Sequence, residues 1–433
     1  MKVAFSTLGC RVNVYETESM MESFIKNGYT IVDFNDIADV YVINTCTVTN
    51  AGDKKSRQAI HKARKLNEKS TIAVVGCYSQ IKPDEVSKIP GVDVVLGNRN
   101  KSEIVYYVNK AISEKKQIVQ VQEVLKDKKF DDLSIEEYQS KTRAFLKIQD
   151  GCNRFCSYCL IPYARGASCS KDMLKIEKEV RNLAKNGFKE IILSGINISS
   201  YGKDLEGNIS LLDVIKMVSD VNGIERIRIG SIDPEFFSDE NIEEVSKIKK
   251  LCPHFHISLQ SGSDLTLKRM NRHYSVLFYE DVVSKLREEI KDVAITTDII
   301  VGFPGESSEE FNETYEFLKK TKLSKTHTFK YSIREGTKAA LLKDQVNGVV
   351  KEERSKKIIK LNEENESLYI DKFIGKTFPV LFEEKVENNI YCGYTPNYIK
   401  VFVEAEKDIT HKILKVEIVK SENLKVVGLL KDI

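Results

Sequence analysis

The sequence predicts an α/β protein with an N-terminal parallel-sheet domain, a central partial barrel of six βα units and a small C-terminal antiparallel β-barrel. Short β-rich runs alternate with helix-like segments over most of the chain, which is typical of parallel sheets covered by helices. From residue 371 onward, apolar and polar positions alternate in about five short strands, as in oligonucleotide-binding barrels. A chain of 433 residues is also too long for one ordinary core.

Each predicted strand of the first domain, residues 1–113, is followed closely by a cysteine. These strands are KVAFST, VYVIN and IAVVG, and the cysteines are Cys10, Cys46 and Cys77. Because the carboxyl ends of parallel strands share one edge of the sheet, we expect the three thiols to meet. A single free cysteine is most often a small buried hydrophobe. Three cysteines at equivalent strand ends favour a metal cluster instead.

A polar segment of mixed charge, residues 114–141, is interpreted as a linker to a central domain of residues 142–370. A charged connecting helix is predicted from Lys351 to Lys372, ahead of the C-terminal barrel of residues 371–433. In barrels of βα units, sites lie at the C-terminal edge of the strands. The predicted central strands are FLKIQ from Phe145, EIILS to Ser194, RIRIG to Gly230, FHISLQ from Phe255, ITTDIIVG from Ile295 and HTFKY to Tyr331.

The loop CNRFCSYC follows the first central strand and brings the thiols of Cys152, Cys156 and Cys159 close together in a CxxxCxxC spacing. Three cysteines can hold three irons of a [4Fe–4S] cluster, which leaves the fourth iron open to the amino and carboxylate groups of S-adenosylmethionine. Two alternatives stay open at this point. Cys156 and Cys159 could form a dithiol redox pair, or Cys169 could complete a four-cysteine zinc site. The spacing and its place after a strand favour the cluster.

Several polar residues at the same predicted edge are candidate contacts for S-adenosylmethionine. Ser194 and Gly195 end the second strand, and from the residues alone a plain strand-to-loop turn is the better explanation of this glycine. Asp298, inside the fifth strand, could equally have a structural hydrogen-bonding role. Arg165 could donate to a cofactor or to RNA, but an exposed arginine near a loop often does neither. The cofactor candidates are Ser194, Gly195, Ser231, Gln260 and Asp298.

The segments FLKIQDGCNRFCSYCLIPYARG, SLQSGSD, TDIIVGFPGE and YSIREGTKAA resemble the methylthiotransferase family of radical S-adenosylmethionine enzymes. The similarity runs nearly end to end, and the C-terminal barrel resembles the TRAM domain. The resemblance implies a second, auxiliary [4Fe–4S] cluster on Cys10, Cys46 and Cys77, in the motifs TLGCRVN, NTCTVT and VVGCYSQ. It further implies that sulfide on this cluster is methylated by one S-adenosylmethionine, that a second is cleaved to activate the substrate carbon, and that the methylthio group is then transferred.

The first cysteine motif indicates the substrate. TLGCRVNVYETE is similar to the bacterial threonylcarbamoyladenosine branch, whereas the isopentenyladenosine branch reads like YGCQMN and the ribosomal-protein branch like LGCPKN. The resemblance thus implies methylthiolation at C2 of N6-threonylcarbamoyladenosine-37 in tRNA, in a loop where an unstacked base can enter a pocket. The alternatives are isopentenyladenosine-37, an aspartate of a ribosomal protein, and a non-catalytic RNA-binding protein with a structural metal.

With a net charge of only +3, the whole chain has no strong positive field that would attract nucleic acid, so any RNA contact must come from a local basic patch. The segment Asp53–Lys69 is rich in lysine and arginine, although a solvated helix face is the default interpretation. Tyr391, Tyr394 and Tyr398 could stack on bases or lie in the barrel core. The expected partners are the tRNA anticodon stem-loop and an electron donor such as flavodoxin or ferredoxin. With no transmembrane run and no disulfide pattern, we expect a cytoplasmic protein without a membrane partner.

Overall fold

The computed structural model describes residues 1–125, 129–135 and 142–431. The N-terminal sheet contains the strands β1 (Lys2–Thr7), β2 (Thr30–Val32), β3 (Val40–Thr45), β4 (Thr71–Gly76), β5 (Val94–Leu96) and β6 (Ile118–Gln120). Its helices are α1 (Arg11–Lys26), α2 (Asn50–Leu66), α3 (Cys77–Ile81), α4 (Pro83–Ser87) and α5 (Ile104–Glu114). The six strands are all parallel, in the order β2-β1-β3-β4-β5-β6. The three predicted strands are confirmed as β1, β3 and β4.

Helices cover both faces of this sheet, so its central strands are buried on both sides. In β3, Val40 and Val42 pack into one apolar cluster, while Tyr41 and Ile43 pack into the cluster on the opposite face. This division follows from the alternation of side chains along a strand. The near-continuous apolar run VYVI is therefore what a doubly covered parallel strand requires.

The central domain contains six parallel strands in the order β7-β10-β11-β12-β13-β14, which confirms the partial barrel. Its two halves of three strands are joined by single bridges between Ile227 and Leu251 and between Ile232 and Ile257. The strands are β7 (Arg143–Lys147), β8 (Gln149–Asp150), β9 (Cys169–Ser170), β10 (Glu190–Ser194), β11 (Arg226–Ile229), β12 (His254–His256), β13 (Ala294–Val301) and β14 (Lys325–Lys330), of which β8 and β9 form a separate short hairpin. The helices are α6 (Ile161–Arg165), α7 (Met173–Lys185), α8 (Leu211–Asp220), α9 (Asp239–Lys247), α10 (Asp264–Arg269), α11 (Val276–Glu289), α12 (Ser308–Thr321) and α13 (Gly348–Asp371).

Helix α13 is the charged connecting helix expected at 351–372, and it leads into a closed five-stranded barrel in the order β15-β16-β17-β19-β18. Tyr391 lies in the apolar core of this barrel, as one of the two interpretations of the tyrosines predicted. The strands are β15 (Thr377–Glu387), β16 (Ile390–Tyr394), β17 (Lys400–Glu404), β18 (Ile413–Glu422) and β19 (Lys425–Leu430).

The segment expected to be a linker takes part in both neighbouring domains. Strand β6 pairs with β5 and so extends the N-terminal sheet beyond residue 113. Leu133 and Ile135 are buried in the core of the central domain. The other parts of the expected linker, residues 126–128 and 136–141, lie outside the described residues. Across the described ranges, no helix is both long and apolar enough to span a bilayer.

Candidate functional site

The first three cysteines lie together at one edge of the N-terminal sheet. Cys10, Cys46 and Cys77 follow β1, β3 and β4, which are neighbours in the sheet. The loops approach so closely that a Cβ added to Gly9, whose φ is +100°, would lie 2.9 Å from Cys46 Sγ. Burial and the nearby thiol of Cys77 raise the pKa of Cys46 to about 11. The parallel topology therefore brings the three thiols together, as the strand ends predicted.

The CxxxCxxC loop holds its sulfurs with hydrogen-bond donors from several directions. The backbone N–H of Arg154 donates to Cys152 Sγ at 3.4 Å, and that of Ile161 donates to Cys159 Sγ at 3.4 Å. Arg272 Nη1 donates to Cys156 Sγ at 3.3 Å. Burial, reinforced by Cys156, raises the pKa of Cys159 to about 12. A desolvated thiol becomes a ligand when a metal displaces its proton, so the loop fits a site completed by a cationic cluster.

The donor sets fit iron–sulfur clusters better than a single ion. Each set supplies three thiols, the number that leaves one iron of a [4Fe–4S] cluster open. Within the described ranges, no three His, Cys, Asp or Glu side chains converge closely enough to hold one metal ion. The zinc alternative needs Cys169 as a fourth ligand. Its proposed fourth ligand, Cys169, is instead buried with its sulfur 4.0 Å from the Arg99 guanidinium.

Arg272, which sequence reasoning missed, connects the cysteine loop to the segment that follows β11, the third strand of the central domain. Its Nη2 donates to Asp233 Oδ1 at 2.7 Å, and Asp233 also pairs with Arg154 Nε at 3.2 Å. Asp233 therefore orients two arginines at the cysteine loop. Arg272 lies more than a hundred residues from Cys156 in the chain, so no local motif reveals this contact.

A cavity of about 900 Å³ runs through the partial barrel and is lined by all three parts of the chain. Cys10 reaches it from the N-terminal domain, and Tyr398 from the C-terminal barrel. Among the described residues, Cys10 alone of the six predicted cluster cysteines lies on its wall. The cofactor candidates on the same wall are Ser194, Gly195, Ser231 and Asp298.

The candidates differ in what surrounds them. A Cβ on Gly195 would lie 2.6 Å from Ile198 Cγ2 and 2.9 Å from Gln149 Oε1, so this turn has room only for glycine. Asp298 Oδ2 lies 3.3 Å from His256 Nε2. Gln260 is not among the residues that line the cavity. Its backbone, with φ of +74°, instead bridges to β13 at Ile299.

Arg165 is wholly buried between the N-terminal and central domains, so its interpretation as an exposed arginine is wrong. Its Nη1 lies 2.8 Å from Glu16 Oε1 and 3.1 Å from Asp150 Oδ1. Lys147 pairs with both carboxylates and Lys101 with Glu16. Although burial acts to raise it, these three cations hold the pKa of Glu16 well below its usual range. Arg165 is thus part of a buried charged network that joins the N-terminal and central domains.

Some basic side chains on α2 form ion pairs within the N-terminal domain. Arg57 pairs with Glu85 at 3.3 Å and Arg64 with Asp93 at 3.1 Å. Lys54 and Lys55 are exposed to solvent. The default interpretation of a solvated, ion-paired helix face accounts for this helix without RNA.

Two family profiles match the chain. The one described as "Uncharacterized protein family UPF0004" matches residues 2–97, and the Radical SAM superfamily matches residues 146–318. Among solved structures, the radical S-adenosylmethionine methyltransferase TsrM from Kitasatospora setae shares the fold, with a TM-score of 0.59 and 14% identity over 78% of this chain and 74% of that one.

Curated relatives match over nearly their full length. Threonylcarbamoyladenosine tRNA methylthiotransferase MtaB of Bacillus subtilis is 43% identical, over 97% of this chain and 94% of the relative. MtaB of Aquifex aeolicus is 42% identical, over 94% and 98% respectively. The tRNA-2-methylthio-N(6)-dimethylallyladenosine synthase of Clostridium tetani is 37% identical, over 98% and 94%. With relatives of this identity and coverage, the chain belongs to the methylthiotransferase family of radical S-adenosylmethionine enzymes.

Proposed function

We propose that this protein is a tRNA methylthiotransferase that converts N6-threonylcarbamoyladenosine-37 to its 2-methylthio derivative by radical chemistry. The observation that carries the proposal is that two three-cysteine sets lie in two neighbouring domains, which Arg165 joins directly through its ion pairs with Glu16 and Asp150. One set alone would account only for making a radical. The second set supplies the place from which sulfur can be delivered.

Cys152, Cys156 and Cys159 would hold the cluster that cleaves S-adenosylmethionine, and Cys10, Cys46 and Cys77 would hold the auxiliary cluster. When bound, the two [4Fe–4S] clusters supply the electron for radical formation and the sulfur for transfer. The chain's own contribution is to position these groups. Arg272 and the backbone N–H groups of Arg154 and Ile161 donate to the sulfurs of the first set.

The contacts to S-adenosylmethionine belong to the same proposal. Ser194, Gly195 and Ser231 lie at the ends of neighbouring strands on the cavity wall, where a methionyl or ribose group could be held by backbone and hydroxyl groups. Asp298 faces the same cavity from β13. Gln260 would act through the backbone of the β12–β13 edge rather than from the wall.

The choice of threonylcarbamoyladenosine is supported by the relatives that carry this name, at 43% and 42% identity, against 37% for the dimethylallyladenosine synthase. The macromolecular partner would be the anticodon stem-loop of tRNA, in which a loop base can be splayed into a cavity. An electron donor such as flavodoxin or ferredoxin would work with it in the cytoplasm.

Anaerobic reconstitution tests the proposal. We expect the full chain to bind about eight irons, to cleave S-adenosylmethionine when reduced, and to methylthiolate an anticodon stem-loop carrying threonylcarbamoyladenosine. An isopentenyladenosine stem-loop serves as the matched control and should stay unmodified. Modification of the control alone would contradict the substrate, and tightly held zinc without iron would contradict the radical mechanism.

A further inference from the structure

We propose that Arg11 binds the carboxylate of the threonylcarbamoyl group, and so is the residue by which this enzyme distinguishes its substrate from adenosines with neutral N6 substituents. The inference rests on the proposed function and names the contact for one part of the substrate. It is drawn from the position of Arg11 on the cavity wall, from its lack of a carboxylate partner, and from its place next to Cys10.

Arg11 lines the cavity immediately after Cys10. Its Nη2 donates to the hydroxyl of Tyr398 at 3.3 Å, and its guanidinium lies 6.0 Å from the ring centroid of Phe145. A guanidinium has five N–H donors in a planar fork, which suits bidentate binding of a carboxylate. Tyr398 uses one of these donors, so the Arg11 guanidinium can still donate to a ligand with the others.

The other long cationic side chains on the wall are already paired. Lys325 Nζ lies 2.8 Å from Glu366 Oε1, and Lys400 Nζ lies 3.7 Å from Glu384 Oε1. For Arg11, by contrast, no carboxylate of the described chain lies within ion-pair distance. Because a largely desolvated charge without a partner is costly, a ligand carboxylate is the natural complement of Arg11.

The surroundings of Arg11 carry an excess of positive charge. Ion pairs join Arg143 to Glu383 at 2.6 Å and Arg228 to Glu190 at 2.8 Å, while Arg226 reaches Glu190 only at 3.7 Å. Three further guanidinium groups near Arg11 therefore share two carboxylates, and none of these pairs involves Arg11 itself. The guanidinium groups of Arg143 and Arg228 also lie over the ring of Tyr398, at 5.7 and 4.6 Å from its centroid. A bound anion would reduce this imbalance.

In the covalent structure of the substrate, the N6 substituent that ends in the carboxylate lies on the same side of the adenine ring as C2, the carbon that reacts. In adenine, the reacting carbon C2 and the substituted carbon C6 flank the same nitrogen, N1. A base presented with C2 toward a cluster on Cys10 would therefore carry its N6 substituent close to the same loop. The residue after Cys10 is well placed to bind the carboxylate at the end of that substituent.

Binding to the reconstituted full-length protein tests the inference with two probes, an anticodon stem-loop carrying threonylcarbamoyladenosine and the same stem-loop with its carboxylate as the methyl ester. We expect wild type to bind the free acid more tightly than the ester by roughly 10- to 100-fold, the range for a charge-assisted hydrogen-bonded contact. Arg11→Gln should lose this preference by weakening only the free acid, and Arg11→Lys should keep part of it. Arg181→Gln, on the exposed face of α7, is the matched control and should behave as wild type.

Equal binding of acid and ester by wild type would overturn the inference, and so would an Arg11→Gln variant that weakens both probes alike. The first comparison needs no variant, so equal binding would overturn the inference even if Arg11→Gln does not retain iron. Failure of the proposed function has a different signature, because wild type would then not methylthiolate the free-acid stem-loop at all. Conversion of that stem-loop without any preference over the ester would refute the role of Arg11 alone.

Discussion

Cys10 has two roles that the other predicted ligands do not combine. It is one of three thiols at the edge of the N-terminal sheet, and it lines the cavity that reaches the central strands and the C-terminal barrel. Its position lets a group bound there face a substrate in the interior. Cys46 and Cys77, among the described residues, do not line that cavity.

Cys10→Ala should therefore separate radical formation from sulfur transfer. We expect the iron content to fall from about eight to about four per chain, with reductive cleavage of S-adenosylmethionine retained and methylthio transfer lost. Iron analysis, 5′-deoxyadenosine release and nucleoside mass spectrometry measure the three properties. Cys392→Ala, in the C-terminal barrel, is the matched control and should keep the full iron content. Loss of cleavage together with transfer in Cys10→Ala would contradict the division of roles.

The positions of the six predicted cysteine ligands follow from sequence patterns, but the residues around them do not. A spacing such as CxxxCxxC lies within one loop, and the other three cysteines each follow a recognisable strand, so topology brings them together. Arg272 and Arg165 act through partners more than a hundred residues away in the chain. Such contacts depend on tertiary packing, and no periodicity in a single sequence encodes them.

Helix α1 connects the N-terminal domain to the central one through its buried polar face. Glu16, wholly buried on this helix, pairs with Arg165, Lys147 and Lys101. Removing one member of a buried charge network leaves its partners uncompensated. The network is thus expected to set the relative position of the two cysteine sites.

Arg165→Met should lower the free energy of unfolding by about 3–5 kcal/mol, because Glu16 and Asp150 would lose their shared guanidinium. Urea unfolding followed by circular dichroism measures the change. Arg181→Met, which removes an exposed arginine paired with Glu177, should change it by no more than about 0.5 kcal/mol. Similar effects of the two substitutions would show that the buried network does not stabilise the interface.

The carboxyl of Asp131 makes the stability of the folded chain depend on pH. Burial raises the pKa of Asp131 to about 6, with Lys147 acting against the shift and Glu16 adding to it, and its Oδ2 is buried without a hydrogen-bond partner. A carboxyl whose pKa is higher when folded binds its proton more tightly in the folded state. The free energy of unfolding therefore falls as pH rises from about 4, the pKa of this carboxyl in the unfolded chain, through about 6, its pKa in the folded chain.

Asp131→Asn should remove this dependence, since a neutral amide does not titrate. We expect the variant to be more stable than wild type at pH 8, by up to roughly 3 kcal/mol, and close to wild type at pH 4. Urea unfolding of the cluster-free chain at the two pH values measures the difference, because clusters themselves respond to acid. A difference that is the same at both pH values would contradict the titration of Asp131.

In the N-terminal sheet, the strands that were predicted correctly are the ones with long patterns. Strands β1, β3 and β4 have six residues each, and the apolar runs in them stand out. Strands β2, β5 and β6 have three residues each, too few for an alternation to be recognised, and were missed. The same shortness explains why β6 was included in the expected linker.

At the scale of the whole molecule, the three parts of the chain are joined around one cavity. The C-terminal barrel docks through Arg226 and Arg228, which donate to the backbone carbonyls of Pro379, Thr395 and Pro396. Tyr398 stacks on His254 of the central domain with ring centroids 4.4 Å apart. The tyrosines predicted to stack on bases or fill the core thus include one that instead joins two domains. A docking contact of this kind is invisible to patterns within a single domain.

The most direct measurement of the proposed activity is nucleoside mass spectrometry on tRNA from cells that lack this protein. The proposed function predicts the loss of 2-methylthio-N6-threonylcarbamoyladenosine, with accumulation of N6-threonylcarbamoyladenosine, and recovery of the product when the wild-type chain but not Cys10→Ala is restored. An intact 2-methylthio-N6-threonylcarbamoyladenosine pool, together with loss of the isopentenyladenosine counterpart, would contradict it.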